Sequence, residues 1–321
     1  MSKQIFVTGG SGGIGRVLVP RLVACGHRVR ALARSSESGQ LLSSLGAEVH
    51  RGDLFEPSTL DGALEGVEQI YHLAGGVRGA GKQTADLLNR QATASLLEAC
   101  RGQDTIETFL LASSCAVYGD RSGLWVDEDH EPHPNTEYGR AKVSAEGLVQ
   151  SAVLNHGLPA KVARIGAVYG RGFSFFLVDE IQNGKARLPG EGRNCIPVIH
   201  VQDCVAALQV IAEKGQDARV YHVADQSSPT LKEFYGVVHK QVGGQPVRFW
   251  STYVPSYVQR RLASRNERLQ SRFGRKPRFT PDTLDLFTNS VRLRTERLAE
   301  ELSFEWQFPD YRQGVEAALG Q

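Results

Sequence analysis

Five glycines stand within seven residues near the front of the chain, in Thr8-Gly9-Gly10-Ser11-Gly12-Gly13-Ile14-Gly15. They lie between an apolar run, Ile5-Phe6-Val7, and a helical pattern that begins at Val17-Leu18-Val19. A strand that feeds a glycine-rich turn and then a helix exposes backbone N–H groups at the positive end of a helix dipole, a combination that binds phosphate. One glycine permits the tight turn, one lets the backbone approach a pyrophosphate, and one lets the helix pack closely on the strand. Gly10-x-Gly12-x-x-Gly15 meets the dinucleotide spacing, and Gly9-x-x-Gly12-x-x-Gly15 meets a second spacing over the same residues. The loop from Thr8 to Gly15, with Gly9, Gly12, Gly13 and Ile14 inside it, is therefore the expected cradle for a dinucleotide.

Beyond the loop, short β-branched runs alternate with helical patterns. Strands are expected at 4–8, 28–32, 47–50, 69–73, 107–113, 161–165 and 220–223, with helical spacing in between, as in Leu87/Leu88/Leu96/Leu97. Strict alternation means crossover connections and a parallel sheet covered on both faces, an α/β fold. Pro20 falls inside the first helix, where a bend rather than a break is expected. With 321 residues, the chain has room for one large domain or two.

The second strand ends Leu32-Ala33-Arg34-Ser35. At that point an NAD-binding fold offers an acid to the ribose 2′-hydroxyl, whereas an arginine suits a 2′-phosphate. Arg34 therefore favours NADP(H) over NAD(H). Arg16, directly after the loop, is either a second phosphate contact or an ordinary surface arginine. Asp53-Leu54 follows the third strand and Leu73-Ala74-Gly75 the fourth, on the sheet edge that carries the glycine loop.

The fifth strand runs into Ser113-Ser114-Cys115-Ala116-Val117-Tyr118-Gly119, and Tyr138-Gly139-Arg140-Ala141-Lys142 comes after a polar loop. Tyr138 and Lys142 are four apart, one turn from each other on one helix face. A nearby ammonium stabilises a phenolate, so Lys142 is expected to lower the Tyr138 pKa and make the phenol a usable acid or base. The Ser114 hydroxyl is placed to polarise a carbonyl oxygen beside it.

Together these residues resemble the extended short-chain dehydrogenase/reductase superfamily over nearly the whole chain. The loop looks like its cofactor loop, Asp53 like its adenine-contacting acid, and His72-Leu-Ala-Gly75 like the segment under the cofactor. Asn89-Arg-Gln-Ala-Thr93 is a relaxed form of its Asn-x-x-Gly-Thr element. Ser114 and Tyr138-x-x-x-Lys142 are similar to its catalytic serine and YxxxK pair. Arg164-Ile-Gly-Ala-Val-Tyr-Gly170, Ile199-His200-Val-Gln-Asp203 and Val220-Tyr-His-Val223 match segments of the extended branch. The resemblance implies a Rossmann doubly wound parallel sheet, residues 1–168 plus about 197–224. A smaller C-terminal substrate-binding cap is implied at about 169–196 and 225–321. It also implies that Tyr138 exchanges the proton, that Lys142 holds the nicotinamide ribose, that Ser114 orients the substrate oxygen and that Asn89 supports a water relay to the lysine. A homodimer through the helices flanking the fourth and fifth strands is common in the family.

Three departures narrow the branch. Cys115 and Ala116 stand where dehydratases carry adjacent Asp-Glu, so dehydration is not expected. Ile196 stands four before His200, where nucleotide-sugar epimerases place a diphosphate-binding arginine. The C-terminal end resembles the 3β-hydroxysteroid dehydrogenase and dihydroflavonol reductase-like group. The expected activity is hydride transfer between NADP(H) and a ketone or alcohol carbon of a small, mainly apolar substrate. The alternatives are a nucleotide-sugar epimerase with retained NAD and a non-catalytic protein that senses the cofactor. Cys115 is either a small packed residue or an extra acid/base.

Phe173, Phe175, Phe176 and Leu177 either line a substrate pocket or form the core of a small cap. From residue 253 to 278 the chain is strongly basic, with Arg260, Arg261, Arg265, Arg268, Arg272, Arg275, Lys276 and Arg278 against Glu267. Apolar residues at helical spacing make this a basic amphipathic helix, with either a solvated cationic face or a docking face for a membrane surface or an acidic carrier protein. The net charge of +2 and the lack of any nucleic-acid module argue against a nucleic-acid partner. The scattered cysteines, Cys25, Cys100, Cys115, Cys195 and Cys204, suit reduced thiols and a cytoplasmic location, with no metal site. The Met1-Ser2-Lys3-Gln4 start leaves no room for a signal peptide ahead of the first strand, and no apolar run is long enough to span a membrane.

Overall fold

A computed structural model describes residues 2–76, 85–250 and 281–320, together with positions 261 and 265. Seven strands form one parallel sheet: β1 (Gln4–Thr8), β2 (Arg28–Ala33), β3 (Glu48–Arg51), β4 (Gln69–His72), β5 (Thr108–Ser114), β7 (Ala160–Ile165) and β11 (Val220–Val223). Their order is β3-β2-β1-β4-β5-β7-β11. All seven expected strands are present, with ends moved by a residue or so. The order reverses between β1 and β4, so the loop after β1 opens at the switch point where such sheets bind ligands.

Side-chain alternation explains the two covered faces. Ile5 and Val7 of β1 point to one core with Leu18, Val19 and Leu22 of α1 (Gly15–Ala24). Phe6 points the other way, to a core with Ile70, Phe109 and Leu96 of α3 (Ala92–Ala99). Every residue of β1 is buried, and each large apolar side chain so placed stabilises the fold by about 1.5–3 kcal/mol. α1 runs unbroken through Pro20, which lacks only the N–H that would reach the Arg16 carbonyl. α2 (Ser36–Ser44), α4 (Glu137–His156) and α6 (Val201–Lys214) complete the layers.

Smaller pieces stand at the carboxyl edge of the sheet. β6 (Trp125–Val126) pairs with β13 (Arg292–Leu293), β8 (Ala167–Tyr169) with β10 (Val198–His200), and β9 (Arg187–Pro189) with β12 (Arg248–Trp250). α5 (Val178–Gln182) and α7 (Leu231–Val242) pack beside them around a third core. Phe176 is buried there and Phe175 packs against Phe234 at 5.2 Å between ring centroids, so both serve the core of this unit. Phe173 instead leans on the glycine loop. Leu298, Leu302 and Phe304, near the end of the chain, pack into the core under the large sheet.

The basic 253–278 segment lies outside the described residues except for Arg261 and Arg265, both exposed. Among the described residues no helix is long and apolar enough to cross a membrane, and no cluster of metal-ligating side chains occurs.

Candidate active site

The turn after β1 is built by close backbone approach. Gly9 has φ +71°, and a Cβ there would lie 2.6 Å from the Ala74 nitrogen and the Leu73 carbonyl carbon. Only glycine joins β1 to β4 this tightly. The Gly12 N–H donates to the Gly9 carbonyl at 2.9 Å, and Gly15 begins α1 against Gly10. At Gly13 a Cβ would come 2.9 Å from the Phe173 ring, so the glycine loop and the segment after β8 touch here. Arg16 donates to the Ser11 carbonyl at 2.8 Å and so braces the loop.

Beneath the turn runs a directional chain of hydrogen bonds. The Ala74 N–H donates to Thr8 Oγ1 at 3.2 Å, and Thr8 in turn meets His72 Nδ1 at 2.7 Å. His72 Nε2 meets Thr93 Oγ1 at 2.9 Å, and Thr93 donates to the Asn89 carbonyl at 2.6 Å. Since Thr93 spends its proton on that carbonyl, His72 carries its own on Nε2 and accepts from Thr8. Burial, reinforced by Lys142, holds the imidazole pKa down at about 3, so it is neutral.

A cleft of about 400 Å³ extends from this loop along the sheet edge. Gly9, Gly12, Leu73, Ala74 and Gly75 line its inner part, and Asp53, Leu54, Arg34, Ser35 and Ser38 its outer part. The Asp53 carboxylate is fixed by the Phe55 N–H at 3.1 Å. Arg34 has no hydrogen-bond or ion-pair partner among the described residues. α1, whose N-cap is Ile14, has neither a side-chain cap nor an acidic residue in its first turn, which leaves its leading amides to an anion. Loop, uncapped helix and the Arg34 guanidinium at the outer end together fit a dinucleotide.

The cleft continues into a pocket of about 240 Å³ that shares Leu73 and Gly75 with it and is also lined by Ile14, Ser114, Tyr138 and Lys142. Ser114 ends β5, and Thr136 caps α4 by accepting from the Gly139 N–H at 2.9 Å. α4 thereby starts with Tyr138 on the same pocket wall as Ser114. Lys142 is 5% exposed, donates to the Ala112 carbonyl at 2.7 Å, and lies 5.8 Å from the Tyr138 ring centroid. Asn89 occupies a π-helical turn, Leu87–Gln91, and donates to the Gly76 and Ala85 carbonyls at 2.9 and 2.7 Å. Its Oδ1 is buried without a hydrogen-bond partner among the described residues, and a Cβ on Gly75 would lie 2.5 Å from it and 3.0 Å from Lys142 Nζ. The amide oxygen and the ammonium thus face the same small space.

One expectation is corrected. Lys142 does not depress the Tyr138 pKa here. Burial pushes the phenol up to about 12, with the nearby Ser114 hydroxyl acting against it. The ammonium is directed at Ala112 rather than at the phenol oxygen, so desolvation wins. Lys142 itself is drawn down to about 8 by burial, with Glu146 opposing. Burial raises the Cys115 thiol to about 11, which leaves it uncharged and in a packing role.

Behind this pocket lies a buried polar network that the linear sequence conceals. Glu146 sits one turn beyond Lys142, accepts from Ser113, and pairs with Arg164 of β7 through contacts of 2.7, 3.1 and 3.2 Å. Arg164 also donates to the Tyr118 hydroxyl at 2.7 Å, and Tyr118 meets His222 Nε2 at 2.6 Å. The one available signal was the third member of the i, i+4, i+8 row Tyr138, Lys142, Glu146.

A doubly wound sheet with a glycine-rich turn at its switch point and a Ser/Tyr/Lys pocket at the same edge defines a dinucleotide-binding oxidoreductase fold. The chain belongs to the NAD dependent epimerase/dehydratase family, whose model matches residues 5–224. It is therefore an enzyme of the extended short-chain dehydrogenase/reductase type, and a nicotinamide dinucleotide is its cofactor. It is 33% identical over 239 residues to 4-hydroxy-2-methyl-3-oxo-4-farnesyl-3,4-dihydroquinoline-1-oxide ketoreductase from Stigmatella aurantiaca, covering 72% of this chain and 71% of that one. It is 25% identical to the decarboxylating sterol-4-alpha-carboxylate 3-dehydrogenase of Dictyostelium discoideum, over 75% of this chain and 77% of that one. Its fold matches UDP-glucuronic acid 4-epimerase from Bacillus cereus with a TM-score of 0.77 at 20% identity, over 98% of both chains.

Proposed function

We propose that the protein is an NADP(H)-linked ketoreductase acting on a small, mainly apolar ketone. The observation that carries this is the convergence of Ser114, Tyr138 and Lys142 on one pocket at the inner end of the cleft. Two hydroxyls in that pocket converge on one carbonyl oxygen. The cofactor, when bound, supplies the hydride to the carbonyl carbon. Ser114 orients the oxygen by donating to it, and Tyr138, protonated through neutral pH, gives up its proton as the alkoxide forms. Lys142 then stabilises the phenolate electrostatically and is placed for the nicotinamide ribose. Thr8, Gly9, Gly12, Gly13, Ile14 and Gly15 hold the pyrophosphate, and Asp53, Leu54, Leu73, Ala74 and Gly75 hold the adenosine side and the cofactor's inner face. Asn89 Oδ1 anchors a water beside Lys142 through which the proton is replaced.

Arg34, with Ser35 and Ser38 on the same cleft wall, supports a 2′-phosphate and hence NADP(H). Ile196 is 7% exposed and packs in the cap core, so the position offers a diphosphate no partner, which disfavours an epimerase. Similarity to a ketoreductase supports the same choice. The division into a cofactor domain (1–168 with about 197–224) and a cap (about 169–196 and 225–321) goes with this assignment, as does a homodimer through α3 and α4. Five free thiols support a reducing compartment such as the cytoplasm.

The test is a fluorescence titration of the purified protein with NADPH and NADH, after assaying it for dinucleotide already bound. Reversible binding that prefers NADPH, and a loss of about 10–100-fold in NADPH affinity alone in Arg34→Ala, are expected. Tightly retained NAD and indifference to Arg34 would instead make the protein an epimerase that recycles its cofactor.

A further inference from the structure

We propose that Glu146 is a positioning residue of the active site: its carboxylate, clamped by Arg164 and Ser113, is the fixed counter-ion that keeps the buried Lys142 ammonium charged. The inference rests on the assignment of Tyr138 and Lys142 as the working pair.

Lys142 is nearly enclosed, so its charge needs compensation from inside the protein. The groups that face it are few. On α4 they are Tyr138, one turn before, and Glu146, one turn after. From β5 come the Ala112 carbonyl, Ser114 and, at the following turn, Cys115; from the end of β4 comes His72, and from the π-helical turn Asn89. His72, Tyr138 and Cys115 are each forced into their neutral forms by burial. Among the described residues that leaves Glu146 as the anion of this layer, and its charge is the one that favours the ammonium.

Glu146 is itself buried, at 9% exposure, so its charge too is compensated inside the protein. Arg164 meets both of its oxygens and Ser113 donates to one, so the carboxylate is locked in one orientation on the far side of Lys142 from the phenol. The same contact ties Ser113 to α4, and Ser113 directly precedes Ser114. One carboxylate thus fixes the charge of the lysine and the register of the serine.

The decisive experiment follows the Lys142 side-chain resonance in protein labelled with 13Cε-lysine, assigned by its absence in Lys142→Arg, as a function of pH and without substrate. Glu146→Gln keeps the shape and removes the charge, and is expected to lower the midpoint of Lys142 by about one pH unit. Arg164→Met frees the field of Glu146 and is expected to move the midpoint up. A packing role alone would not give opposite signs. Where Glu146→Gln does not fold, Glu146→Gln/Arg164→Met removes the carboxylate together with the guanidinium that clamps it and is expected to lower the midpoint. No shift, or shifts of the same sign in the two single variants, overturns the inference. Because the readout is an ionisation, it stands apart from the search for a ketone. A shifted lysine in a protein that consumes no NADPH would refute the ketoreductase assignment and leave the counter-ion in place.

Discussion

Replacing Gly9 by alanine tests the architecture of the cofactor loop at its tightest point. The new Cβ would meet the Ala74 nitrogen and the Leu73 carbonyl carbon at 2.6 Å and the Leu73 oxygen at 2.8 Å, all backbone atoms of the neighbouring strand end. None of these can rotate away. A non-glycine residue at φ +71° costs about 1–2 kcal/mol, and pushing packed backbone aside costs about 1–3 kcal/mol more. With a urea slope of about 3 kcal/mol/M, a total of about 2–5 kcal/mol lowers the unfolding midpoint by about 1 M. Gly13→Ala is the control. Its Cβ meets only the edge of the Phe173 ring, a side chain that can turn, so the midpoint is expected to fall by less than about 0.3 M and to recover in Gly13→Ala/Phe173→Leu. Urea unfolding followed by circular dichroism reads both variants. A Gly9→Ala midpoint equal to that of the native protein, or below it by no more than Gly13→Ala, would refute the reasoning from backbone contact.

Two further outcomes are expected. Tyr138→Phe keeps the ring but not the proton, so kcat for ketone reduction falls by about 10²–10⁴ while NADPH affinity in the fluorescence titration is unchanged. Acid stability follows from His72 and His222, each held down at about 3, and His200 at about 4, chiefly by burial. Below the ordinary imidazole value of 6.5 the unfolded chain takes protons that the folded one refuses, so stability is lost as pH falls through 6.5 toward those values. Asp225, pushed up to about 8 by burial, works the other way, because the folded state holds its proton where the unfolded chain has lost it. Together the four groups give a net loss on the order of 3 kcal/mol between pH 7 and pH 5, measurable as a drop in urea midpoint that is reduced in His72→Gln.

The sheet was legible because its central strands β1, β4, β5 and β7 are buried on both faces, so they appear as short runs rich in apolar residues whatever their neighbours. The glycine loop and the Ser114, Tyr138 and Lys142 set were legible because their chemistry dictates residue type and spacing within one turn or one helix. What escaped depends on distance along the chain. Thr8 and His72 are 64 residues apart and Glu146 and Arg164 are 18 apart, and nothing local distinguishes buried ions from surface ones. The direction of the Tyr138 shift was misjudged for the same reason, since desolvation is set by the folded surroundings and not by a lysine one turn away. Phe173, read as pocket or cap core, serves a third purpose because its partner is a glycine with no side chain to announce it.

That Phe173 contact bears on how such proteins can be re-engineered. Gly13 belongs to the proposed cofactor turn, while Phe173 belongs to the proposed substrate cap. A cap transplanted from a relative would bring its own residue to that spot, and a smaller one would leave the turn unsupported while a bulkier one would press on it. Cofactor affinity is thus expected to change in chimaeras whose cofactor-binding residues are untouched. Retaining Phe173 at the graft boundary is the simplest way to exchange substrate range without disturbing the nucleotide.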